Sequence, residues 1–371
     1  MQRGSPAGSG YITPVIQRAT KRLLGSAAAA VDRAATIAAG RATARRRKKS
    51  PSEGLDHGQR MEALRALAGL YTDDRIPDFF RAPRRIEPKL SKLRWTADGH
   101  QILDASWPSR DATFVHDVHD RYHRFAHNQV AAARLFLGPE PRPVAILIHG
   151  YLGGAYKMEQ RVWPLPFLNK IGLDVALFIL PFHGVRADPN RNGTPPFPSS
   201  DPRITNEGFR QAMADLRDLT HWFRQRGHSK VGLMGMSLGG YTTSLAATLD
   251  SELSFAIPMI PLASVADFAR DQGRLGNNAE QTALEHNALE AVHRVVSPLA
   301  RKPAIDPKRV LVVGAKADRI TPVEHARRLA HHFGAPLDTW PGGHLLQVGR
   351  SDAFRRIGRF LREIEVTPPR P

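Results

Sequence analysis

Val144 to Ile148, Leu173 to Leu180, Val231 to Met236, Phe255 to Leu262 and Val310 to Val313 are nearly continuous apolar blocks of strand length. Strands buried on both faces of a parallel sheet have this pattern. Between them the period lengthens to that of a helix. Thr205 to Arg226 sets Phe209, Met213, Leu216, Leu219 and Phe223 on one face, and Leu238 to Leu249 and Pro322 to Phe333 follow their strands in the same way. Ala132 to Leu137 and a short segment near Leu337 add two strands. Alternation of strand and helix through right-handed crossovers predicts an α/β fold, a mostly parallel sheet with helices on both faces. Upstream, Leu93 to Thr96 and Ile102 to Trp107 flank Asp98-Gly99. Asp-Gly favours the positive φ angles of a tight turn, so these segments predict a hairpin at the antiparallel edge. Residues 60–70 predict a short amphipathic helix.

Composition changes this picture only at the N-terminus. The chain has 371 residues, 42% of them hydrophobic and 24% charged, as expected of a globular protein. No apolar run reaches the roughly 18–20 residues that span a bilayer. The absence of cysteine removes disulfides, thiolate metal sites and cysteine nucleophiles. Residues 1–50 hold eleven Lys or Arg and one acid, Asp32, and end in Arg45-Arg46-Arg47-Lys48-Lys49. We therefore divide the chain into a basic Ala/Arg-rich tail, 1–55, disordered or amphipathic, and an α/β domain, 56–371. Such a tail can be drawn to an anionic membrane surface. Nucleic acid is the less favoured partner, and the expected location is the cytoplasm, with peripheral membrane contact through the tail.

The chemistry lies on the sheet. Gly235-Met236-Ser237-Leu238-Gly239 fits G-x-S-x-G, with a buried strand leading in and a helix leading out. A nucleophile at a sheet's carboxyl edge needs a sharp turn, and that turn leaves no room for side chains two residues to either side. Serine also needs a base, and the base needs an acid to orient it. Asp318 follows the strand Val310 to Val313, where the acid belongs, and His344 follows the last short strand in Trp340-Pro341-Gly342-Gly343-His344. The oxyanion needs two backbone donors. The Leu238 amide is one; the loop His149-Gly150-Tyr151-Leu152-Gly153-Gly154 offers Tyr151 first and Leu152 second. Phe182, His183 and Met236 are the expected substrate contacts. Two insertions could roof the site: the proline-rich stretch Pro181 to Ile204, and a helical cap at about 264–307.

From about Pro143 to Leu361 the chain resembles the α/β-hydrolase superfamily, with Ser237, Asp318 and His344 on its triad positions. Pro181-Phe182-His183-Gly184-Val185-Arg186 and Pro258 to Ser264 are similar to its domain-eighteen type. The resemblance implies hydrolysis of a carboxylic ester, thioester or amide through an acyl-serine, on a small-molecule acyl substrate and without a cofactor. A serine in place of aspartate or cysteine argues against the dehalogenase and dienelactone branches. Two rival readings stay open: an acyltransferase on the same triad, and a non-catalytic binding protein tethered to membrane or nucleic acid. His116, His119, His123 and His127 fall nearly on one helical face. Imidazoles so spaced could hold zinc, but the interspersed Asp117, Asp120 and Arg121 favour a solvated face, so no metal is expected.

Overall fold

Among the residues described by the computed structural model, 26–34, 55–72, 75–95, 99–109, 113–190 and 193–369, nine strands form one sheet. They are β1 (Lys89–Trp95), β2 (Gln101–Pro108), β3 (Val130–Leu137), β4 (Val144–Ile148), β5 (Asp174–Phe178), β6 (Val231–Met236), β7 (Ala256–Met259), β8 (Val312–Ala315) and β9 (Leu337–Trp340). The spatial order is β1-β2-β3-β5-β4-β6-β7-β8-β9. From β1 to β5 neighbours run antiparallel; from β5 through β4 to β9 they run parallel. The hairpin, the antiparallel edge and the parallel centre stand as expected, while the turn residues 96–98 lie outside the described residues.

The helices are α1 (26–34), α2 (His57–Ala68), α3 (His119–His123), α4 (Tyr156–Val162), α5 (Leu165–Lys170), α6 (Pro202–Gln225), α7 (Leu238–Ala247), α8 (Val265–Asp271), α9 (Ala279–His293), α10 (Val323–Phe333) and α11 (Arg350–Glu363). They cover both faces of the sheet. Alternation within β4 shows the division: Val144, Ile146 and Ile148 join a core with Phe209, Phe223 and Tyr241, whereas Ala145 and Leu147 join Trp163, Phe354 and Ile357. The central strands read as unbroken apolar runs because both of their faces are buried.

Three expectations change. Part of the basic tail, residues 26–34, is helix α1, and its Ala28 and Asp32 are buried against the protein body. The rest of 1–54 lies outside the described residues. The four spaced histidines do not share a helix: α3 ends at His123, and Phe125, at φ −93° and ψ 85°, breaks the run before a 3-10 turn at Ala126–Gln129. Helices α4, α5 and α11 were not foreseen, although α11 buries Phe354, Ile357 and Leu361 at helical spacing. The cap insertion consists of α8, α9 and short 3-10 turns. It is tied to α2 by the buried Glu285, which binds His57 at 2.8 Å, Arg60 at 3.0 Å and the Gly276 amide at 2.9 Å.

Candidate active site

Strand β6 delivers Ser237 to the carboxyl edge of the sheet, at the start of α7. Ser237 sits at φ 57° and ψ −113°, a strained conformation for a residue with a side chain. The flanking glycines make it attainable. A Cβ at Gly235 would lie 2.0 Å from the Gly239 carbonyl oxygen, and one at Gly239 would lie 2.1 Å from that of Ile148.

The three expected side chains converge. His344 Nε2 lies 2.9 Å from Ser237 Oγ, and its Nδ1 lies 2.7 Å from Asp318 Oδ2. A carboxylate only accepts, so Nδ1 carries the proton and Nε2 offers its lone pair to the serine hydroxyl. Asp318 is buried and anchored. Its Oδ1 accepts from the amides of Ile320 at 2.9 Å and Thr321 at 2.7 Å. Thr321 was not anticipated, because nothing local marks it. Its hydroxyl lies 3.0 Å from each of Asp318 Oδ2, His344 Nδ1 and the Ile260 carbonyl, at the junction of the three loops.

The backbone opposite Ser237 comes from the loop after β4. A Cβ at Gly150 would stand 3.3 Å from Ser237 Cβ and 3.9 Å from Oγ, so the backbone at Gly150 passes beside the serine. Leu238 opens α7, and the first amides of a helix have no acceptor within it. Leu152, at φ 65°, turns the loop so that the Gly153 amide returns to the Gly150 carbonyl at 3.0 Å.

Two buried side chains fix this loop, and neither was anticipated. Leu180 donates its amide to His149 Nε2 at 3.1 Å, which leaves His149 Nδ1 to donate to the Gly150 carbonyl at 2.8 Å. Burial, reinforced by repulsion from His183, pushes the His149 pKa down to about 3. This imidazole therefore stays neutral. Glu159 accepts from the Gly154 amide at 2.8 Å, and burial raises its pKa against the pull of that bond.

The expected substrate contacts fare differently. Phe182 is 2% exposed, and its ring meets Tyr122 and Phe125 edge-on, so it fills core rather than a pocket. Its φ of 63° turns the side chain inward. His183 is 1% exposed, donates from Nδ1 to the Pro181 carbonyl at 2.8 Å, and is held neutral by burial with a pKa of about 4. Met236 is buried in β6. Beneath the 181–186 loop lies the fully buried pair Arg186–Asp215, 2.9 Å apart. Arg186 also donates to the carbonyls of Ile179 and Asn128. The proline-rich insertion is pinned by Phe197, whose ring occupies the space a side chain at Gly208 would need.

Asp267, His286 and Glu290 are the one group of possible metal ligands among the described residues. Asp267 is already paired with Arg270 at 2.9 Å and with Arg328. Two guanidinium charges on that carboxylate disfavour a cation there.

A nine-stranded, mostly parallel sheet with an acid–base–serine relay at its carboxyl edge defines the α/β-hydrolase fold. The sequence profile described as alpha/beta hydrolase domain containing 18 matches residues 58–295, and the chain belongs to that family. The match includes Ser237 and ends before Asp318 and His344. An uncharacterized protein of Mycobacterium tuberculosis, Rv2627c, is 34% identical over 232 residues, which is 60% of this chain and 55% of that protein. The chain thus spans about half the length of the curated relatives it matches. Among solved structures, an acetyl xylan esterase from Paenibacillus sp. R4 superposes with a TM-score of 0.52 at 16% identity, covering 80% of this chain and all of that one. Acetyl xylan esterase 1 from Thermoanaerobacterium sp. gives a TM-score of 0.51 at 18% identity over 82% of this chain and 98% of its own. At these identities the likeness is one of fold. No helix among the described residues is long and apolar enough to cross a membrane.

Proposed function

We propose that the protein is a serine hydrolase that cleaves a carboxylic ester or related acyl bond. One observation carries this reading: the unbroken relay Asp318–His344–Ser237, with contacts of 2.7 and 2.9 Å, on a glycine-flanked strained turn. His344 Nε2 takes the Oγ proton as the Ser237 oxygen bonds to the acyl carbon. The oxyanion is received by the Leu238 amide and the amide of Tyr151. His344 then protonates the departing alkoxide, leaving an acyl-serine. Water, deprotonated by the same imidazole, returns the free acid and the serine. Asp318 accepts the hydrogen bond from Nδ1 and steadies the imidazolium that forms in both halves.

Tyr151 and Leu152 on one side and Leu345 on the other are 42%, 61% and 55% exposed on the loops that flank the serine. Apolar side chains at the mouth support an apolar acyl or leaving group. The test is labelling of the purified protein by a fluorophosphonate, alongside hydrolysis of short p-nitrophenyl esters. Both are expected in the wild type and absent in Ser237→Ala. A folded wild type inert to both reagents overturns the reading. An added alcohol acceptor that diverts product from free acid to ester would favour acyl transfer on the same triad.

A further inference from the structure

The single acid of the basic N-terminal stretch is turned inward. Asp32, on α1, is 0% exposed and meets the backbone of two active-site loops. Its Oδ2 accepts from the His344 amide at 2.6 Å and the Arg319 amide at 3.2 Å, and its Oδ1 accepts from the Leu345 amide at 2.9 Å. Arg319 directly follows Asp318. One carboxylate therefore ties together the loop of the acid and the loop of the base. The approach depends on small residues. A Cβ at Gly343 would lie 2.7 Å from Asp32 Oδ2 and 3.2 Å from the Ala28 Cβ, and Ala28, one turn before Asp32 on the same helical face, is fully buried there.

Hydrogen bonds from amides to an ionised acceptor are about twice as strong as neutral ones. Loops at the ends of strands need such external ties, because an imidazole must be held within roughly 0.5 Å of its working position. We propose that Asp32 is a positioning residue. From the far side of the His344 loop it sets that loop against the Asp318 loop, so that the imidazole meets acid and serine together. Asp32 touches no reacting atom, and α1 lies outside the span the family profile matches. The inference rests on the reading of Ser237, His344 and Asp318 as the catalytic groups.

The experiment compares full-length wild type with Asp32→Ala, Asp32→Asn, Asp32→Glu and Ala28→Leu. It measures ester turnover, fluorophosphonate labelling and amide hydrogen exchange at residues 343–346. Asp32→Ala is expected to lower kcat between about 10- and 100-fold, the scale of a misplacement of about 1 Å, with KM for a short ester little changed. Exchange of the His344 and Leu345 amides should quicken while the strands stay protected. Asp32→Glu should retain more turnover than Asp32→Asn, whose amide offers one acceptor oxygen and sets N–H against N–H. Ala28→Leu should reproduce the kcat loss with the carboxylate intact, by lifting α1 from Gly343. Quickened exchange with kcat within about twofold of wild type in both Asp32→Ala and Ala28→Leu overturns the positioning role. So does exchange at 344 and 345 that is the same in Asp32→Ala as in the wild type, because the contact would then be absent in solution. A wild type inert to ester and probe overturns the parent reading and this one together; an active wild type with unimpaired variants overturns this one alone.

Discussion

His344 and His149 occupy matching places in two glycine-rich loops, after β9 and after β4, and they do opposite things. His344 lies between a carboxylate and a hydroxyl, Asp318 at 2.7 Å and Ser237 at 2.9 Å. His149 lies between a carbonyl and an amide, Gly150 at 2.8 Å and Leu180 at 3.1 Å. Only the first setting places a carboxylate beside the ring. The second offers dipoles alone, and its pKa falls to about 3. Both loops are steadied from behind by a buried carboxylate on backbone amides, Asp32 for one and Glu159 for the other. The scaffolds are alike, and the partner of the imidazole is what separates the two loops; in the proposed mechanism only the His344 loop moves a proton.

Breaking the relay is the largest test of this contrast. His344→Ala should cut kcat on the order of 10⁴-fold or more, as Ser237→Ala should, since the members of a triad act as a unit. His149→Ala should instead strand two buried backbone groups. Its cost is about 3 kcal/mol in urea unfolding, with about tenfold loss of turnover by the folded fraction. If the two histidine variants lose activity equally, the contrast fails. Next in size is Asp318→Asn, which keeps the shape and removes the charge; kcat should drop on the order of 10³-fold in steady-state assays while the fold survives. Glu159→Gln, the matching change behind the other loop, retains an acceptor oxygen for Gly154 and should cost only a few-fold, about 1 kcal/mol.

The smallest expected effect is on pH. His149, His183 and His293 all lie below their ordinary value of 6.5, at about 3, 4 and 4, chiefly because of burial. The unfolded chain binds protons at these sites below about pH 6.5 whereas the folded one does not, so their contribution to stability is present above that pH and is lost as pH falls towards 4. Each site should cost about 2 kcal/mol between pH 6.5 and pH 5. His293→Gln, which removes one of the three, should flatten the fall in melting temperature across that window. A fall as steep as the wild type's would mean that His293 is not held neutral.

Much of the fold was legible because its signals are local. β4 and β6 were bounded to the residue, since unbroken apolar runs between turns have few other readings. The elbow is legible because G-x-S-x-G stands between a strand and a helix, and Gly235 answers a steric demand within five residues, whereas the demand on Gly239 comes from Ile148 on another strand. Asp318 and His344 were legible from their order after later strands. Phe182 was not, for its loop was placed well but a positive φ sends the ring into the core. Asp32 was counted as the exception in a basic tail. Thr321 is not legible because it meets Ile260 and His344 only in the folded chain, and His149 is legible as a loop residue but not as the partner of Leu180. Glu159 holds Gly154 only five residues away, but nothing in those residue types marks the bond.

The sequence by itself determined the alternation of strand and helix, the strained turn at Ser237 and the order in which serine, acid and base appear. The alternation follows from periodicity and the turn from the clash a side chain at Gly235 would make with Gly239, while the order of the three residues follows from the resemblance to the superfamily. Only the tertiary structure decided which histidine faces an anion, which carboxylates hold the two glycine-rich loops, and that a residue at position 32 reaches the backbone of residue 344. A polar side chain has no fixed role until folding brings it a donor or a charge. That partner is set by how the sheet brings distant loops to one edge.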